Sequence, residues 1–128
     1  MNEEELIKKA LLYKRIIDWD KDKVIIEDGT TLEVKCLDSD CCAWGSGKWD
    51  KVKLDAVITD VELADVENPE DDDTRITTGV IKIYHNQNII AQNEMYTHAG
   101  NGGYYYSVTG LVVKLPDKNK LTGFTIES

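Results

Sequence analysis

The spacing of apolar residues changes once along this chain, near Asp20, and that change dictates a mixed but mostly β fold. Before it, Leu6, Ala10, Tyr13 and Ile17 recur at helical spacing, and Ile7, Leu11 and Leu12 widen the stripe. This is the period of an amphipathic helix, expected over Glu3 to Asp18 within an N-terminal segment 1–20. Asn2 suits its N-cap. Glu3, Glu4 and Glu5 lie where the helix dipole favours negative charge, and Lys14 and Arg15 where it favours positive charge. A stripe this wide can pack on its own domain or pair with the helix of a second copy in a homodimer.

After Asp20 the period becomes two. Val24 to Glu27 and Thr31 to Cys36 flank Asp28-Gly29, a dipeptide that predicts a hairpin closed by a type I′ turn. Asp38 to Lys51 reads as a polar loop rich in Gly and Trp. Val52 to Val66 reads as one or two strands, with Val57, Val61 and Leu63 on one face and Asp60 and Glu62 on the other. Arg75 to His85 and Ile89 to Tyr96 form a second expected hairpin around Asn86-Gln87-Asn88. Thr97 to Gly103 is a glycine-rich turn, Tyr104 to Leu115 a further strand, and Leu121 to Glu127 a last one. The fold class is therefore α+β, mostly β. The N-terminal helix packs on an antiparallel sandwich or curled sheet of about seven strands. With 128 residues the chain reads as one domain, its acidic segment 67–74 an exposed loop rather than a linker.

Charge narrows the partners. The chain has 24 acids against 15 bases, a net charge of −9, which repels nucleic acid and anionic membranes and favours a basic protein surface. No apolar run approaches the roughly 20 residues of a membrane span, and no secretory leader pattern follows Met1, so the expectation is cytoplasmic. Asp60, Glu62, Asp65, Glu67, Glu70, Asp71, Asp72 and Asp73 follow one another with no base between them. Such an array imitates nucleic-acid phosphates and fits a basic groove, for example on a nuclease.

Two other constellations carry chemistry. Tyr104 and Tyr106 share a face, and with Asn86 and Asn88, at a site formed between subunits, they would stack on and hydrogen-bond a small signalling nucleotide. Cys36, Cys41 and Cys42 with His85 (or His98) would make a Cys₃His set for zinc, although the usual knuckle spacing is absent. The odd cysteine count argues for reduced thiols rather than a disulfide framework. No nucleophile elbow or P-loop is present. Gly100-Asn101-Gly102-Gly103 lacks the Lys-Ser/Thr that would make it a phosphate cradle, and reads as a turn. The expectation is a non-catalytic protein with no required cofactor.

Gly29-Thr30-Thr31-Leu32-Glu33-Val34, then Asp40-Cys41-Cys42, then the Trp/Gly-rich segment, then Gly102-Gly103-Tyr104-Tyr105-Tyr106-Ser107 resembles a set of small proteins of Gram-positive bacteria and their phages. These carry a domain of unknown function. The likeness runs from Val24 to Val113. Where that family often places Glu after the Cys-Cys pair, this chain has Ala43, which weakens any role for a carboxylate there. The resemblance implies a shared fold and a phage-like origin, and no activity.

Overall fold

In the computed structural model, residues 2–39, 44–69, 75–99 and 107–127 are described. Among these residues one helix, α1 (Glu3–Leu11), is followed by nine strands. These are β1 (Ile16–Trp19), β2 (Lys23–Ile26), β3 (Thr31–Ser39), β4 (Trp44–Asp50), β5 (Asp60–Glu67), β6 (Ile76–His85), β7 (Asn88–His98), β8 (Ser107–Lys114) and β9 (Lys120–Glu127). They form two antiparallel sheets, ordered β1-β2-β3-β8-β9 and β4-β7-β6-β5. Leu32, Leu111 and Val113 from the first sheet and Val61, Ile81, Ile83 and Met95 from the second join one buried core. The α+β, mostly β class is as expected, with nine strands among the described residues where about seven are expected.

The helix is shorter than its apolar stripe predicts. Asn2 Oδ1 caps it by accepting from Glu5 N at 2.8 Å. Leu12 then leaves helical geometry at ψ 135°, and Tyr13 takes φ 66°. Ile16–Trp19 pairs with β2 instead. Extended pairing of β-branched Ile16 with Ile26 outweighs the weak helical preference of this stretch. Ile7 and Leu11 are fully buried, and Glu3 Oε2 accepts from both the N–H and the hydroxyl of Thr122 at 2.9 Å. The helix thus docks on β9 of its own chain. Lys14 Nζ pairs with Asp28 at 2.6 Å and ties the segment after the helix to the first hairpin.

That hairpin lies where Asp28-Gly29 predicts it, but with a different turn. Only Gly29 has positive φ, 94°, so type I′ is excluded. Gly29 N donates to Ile26 O at 2.9 Å and Ile26 N to Thr30 O at 2.8 Å. This is a type I turn completed by a left-handed glycine. The second hairpin turns through Asn86 and Gln87, with His85 opposite Asn88.

Three other boundaries differ from expectation. The segment read as a loop contains β4, whose Gly45, Gly47 and Trp49 face the first sheet. A Cβ on Gly47 would lie 2.7 Å from Val34 Cγ1 and closer still to Asn93 Oδ1, and one on Gly45 would collide with Thr109. Glycine is needed here because the two sheets approach so closely. Within 52–66 the strand begins only at Asp60. Residues 51–59 run irregularly, with positive φ at Lys51 and Asp55. Thr97 and His98 belong to β7 rather than to a turn.

Candidate functional site

The outer face of the four-stranded sheet carries the most chemistry among the described residues. Register places Trp44 opposite His98, Ser46 opposite Tyr96, Lys48 opposite Glu94, and Tyr96 opposite Thr78. Alternation along β7 buries Asn93, Met95 and Thr97 and turns Glu94, Tyr96 and His98 outward. The result is an aromatic ledge. Trp44 and His98 stack with ring centroids 5.5 Å apart and planes within 8°, and Tyr96 lies 4.9 Å from Trp44. Trp44 remains 48% exposed. Reading Asp38 to Lys51 as a polar loop hides this trio, because it puts Trp44 on no strand. The signal was there in the spacing of Tyr96 and His98, two apart on a strand.

Beside the ledge is a hollow of about 350 Å³, lined by Asp65, Glu67, Thr78, Val80, Glu94 and Tyr96 among others. Its far wall is the end of β5, where pairing with β6 shifts between Ala64 and Glu67 and Asp65 adopts φ 53°. The bulge swings two carboxylates toward the hollow.

β5 is an edge strand of its sheet and carries Asp60, Glu62, Asp65 and Glu67, all exposed. Their charge is partly offset. Lys8 lies 3.4 Å from Asp60 and Lys82 2.9 Å from Asp65. The Tyr84 hydroxyl donates to Glu62. This bond, then burial, then the negative charges of Glu62, Asp60 and Asp65 push the Tyr84 phenol up to about 12. The folded state favours the protonated phenol. Its contribution is therefore complete below the usual phenol value of 10.0 and is lost as pH rises toward 12. Spectrophotometric titration should show that Tyr84→Phe removes the phenol that ionises late. If the absorbance lost in the variant is that of a phenol already ionised below pH 11, the assignment is contradicted.

The remaining predicted residues are dispersed. Glu70, Asp71, Asp72, Asp73, Cys41, Cys42, Tyr104 and Tyr106 lie outside the described residues. Asn86 and Asn88 are exposed at the β6–β7 turn, where Asn86 N donates to Thr59 Oγ1 at 2.7 Å. Ser107, which follows the tyrosines, donates its hydroxyl to His98 O at 3.3 Å. That is the other end of β7, about 30 Å away at the usual strand rise. Asn86 and Asn88 are thus not brought beside Ser107. His85 is also at the turn end, its Nδ1 donating to Val57 O at 2.8 Å. Exposed Cys36 pairs in register with Thr109, at the His98 end. His85 is therefore remote from Cys36, and His98 is the histidine on the cysteine side. Among the described residues no group of three His, Cys, Asp or Glu is arranged to hold a metal. No helix among them is long and apolar enough to cross a membrane.

No curated protein and no solved structure matches the chain. A family model described as a domain of unknown function (DUF7448) matches residues 9–112, the span that holds all of β1 to β7, the aromatic ledge and the acidic edge. The chain belongs to this DUF7448 family.

Proposed function

We propose that this is a non-catalytic binding protein of phage or mobile-element type, acting in the host cytoplasm. It occupies a basic surface on a host factor, such as the nucleic-acid groove of a defence nuclease, and thereby inhibits it. The observation that carries this reading is the β5 edge. Asp60, Glu62, Asp65 and Glu67 all project from one exposed strand, and Glu94 adds a carboxylate at the adjoining hollow. Lys8 and Lys82 offset two of these charges, and acids remain in excess. Glu70 to Asp73 follow directly in the sequence, and the net charge of −9 adds long-range attraction to a basic partner. The nucleotide-sponge and zinc readings are less favoured. Within one chain the first would need Asn86 and Asn88 beside residues that precede Ser107, and of the two histidines open to the second only His98 lies at the Cys36 end.

The test starts from affinity capture out of host lysate, followed by purification of the captured protein and direct titration. Raising salt from 50 to 300 mM should weaken binding at least about tenfold. The quadruple variant Asp60→Asn, Glu62→Gln, Asp65→Asn, Glu67→Gln should lose about as much. Asparagine tolerates the left-handed backbone at position 65, so the bulge survives the change. Affinity indifferent to both salt and the four substitutions would overturn the reading.

A further inference from the structure

The acids explain attraction to a basic partner but leave the neighbouring rings without a role. Trp44, Tyr96 and His98 stand on the outer face with centroid separations between 4.9 and 6.3 Å, and Trp44 is half exposed. They contribute little to the core, which lies on the opposite face of the same strands. Tyr96 belongs both to this ledge and to the lining of the hollow. Ring faces and carboxylates therefore meet at one place.

That combination selects a particular chemistry. The negative face of an aromatic ring attracts a cation, and more so a flat, weakly hydrated one. A carboxylate beside the ring can accept two parallel N–H bonds from a guanidinium. A phosphate-bearing ligand is disfavoured by Asp65, Glu67 and Glu94 around the same hollow. Lys82 engages Asp65 at the rim, and Lys48 stands across from Glu94 in register. Glu67 and Glu94 are then the carboxylates on either side of the space beside Tyr96. A volume of about 350 Å³ accommodates a single long side chain rather than a folded element.

We propose that this hollow receives an arginine side chain of the partner, its guanidinium lying against Tyr96, whose ring Trp44 supports from the ledge, and bonding to Glu94 and Glu67. The inference rests on the reading of a basic protein partner and names the group recognised. Trp44 and Tyr96 are the residues that distinguish arginine from lysine. Asp60 and Glu62, farther along β5, supply attraction without that distinction.

The test uses two acetylated pentapeptides, Gly-Arg-Gly-Arg-Gly and Gly-Lys-Gly-Lys-Gly, and adenosine monophosphate as a stacking ligand of opposite charge. Each is titrated into the intact, isotope-labelled protein and followed by NMR. The arginine peptide should shift the Trp44 indole N–H and the Tyr96, Thr78 and Glu94 amides. It should bind about fivefold tighter than the lysine peptide. Tyr96→Ala should weaken it about tenfold. Trp44→Ala, at an exposed position that leaves the core intact, should weaken it by a similar factor and safeguards against a folding defect in the first variant. Equal binding of both peptides, unchanged in both variants, would overturn the inference and leave the acidic-edge reading standing. Binding of adenosine monophosphate at these residues would overturn both, as would no binding of either peptide at low salt.

Discussion

Trp49→Ala should lower the stability of this protein by about 3–5 kcal/mol, a large share of the roughly 5–15 kcal/mol typical of a domain. Trp49 is 2% exposed and belongs to β4, yet its Nε1–H donates across the sandwich to the Leu32 carbonyl of β3 at 3.2 Å. Truncation removes both the ring that fills the space between the sheets and its hydrogen bond to the Leu32 carbonyl. Trp49→Phe keeps most of the volume and loses only the N–H, so its cost should be about 1–2 kcal/mol. Urea unfolding followed by far-UV circular dichroism measures both without depending on tryptophan emission. A loss below about 1 kcal/mol for the alanine variant would mean that Trp49 does not hold the sheets together.

Gly47→Val should be nearly as damaging, for the opposite reason. The Cβ alone would meet Val34 Cγ1 at 2.7 Å and press on Asn93 Oδ1, and Asn93 is fully buried. Neither neighbour is the free end of a flexible chain. Forcing the sheets apart should cost about 2–4 kcal/mol. It should also disturb the ledge, because Gly47 sits between Ser46 and Lys48 on the strand that carries Trp44. Ser46→Val, one residue away and pointing outward, should be nearly neutral in the same unfolding experiment. If both valine variants unfold at the same urea concentration, the close approach of the sheets at Gly47 is not a constraint.

The two substitutions also mark where sequence pattern stopped being informative. Strands with strict alternation, such as Val61 and Leu63 against Asp60 and Glu62, announce themselves. So do the hairpins at Gly29 and Asn86, because each needs a left-handed residue. β4 does not. Its inward positions are Gly45, Gly47 and Trp49, so the alternation is written in the absence of side chains, and glycine ordinarily signals a turn. The helix boundary failed differently. The apolar stripe continues through Tyr13 and Ile17, but those residues end 76% and 48% exposed, since pairing with β2 is a tertiary decision that a local period cannot express. Of the candidate site, the acidic strand could be read from Asp60, Glu62, Asp65 and Glu67. The ledge could not, because it depends on β4 lying beside β7, a neighbour relation between segments more than forty residues apart.

The connection between α1 and β9 has a consequence in time. Glu3 meets Thr122, 119 positions later, and β3, already beside β2, finds its second neighbour only in β8. The earliest part of this chain to leave the ribosome is thus among the last to find its place. Local contacts can form the β2–β3 and β6–β7 hairpins early, but the five-stranded sheet closes only once β8 and β9 have been made. Folding should therefore be slow for a domain of this size, on the scale of milliseconds to seconds. Until then the apolar face of α1, Ile7 and Leu11, lacks the strand it packs on.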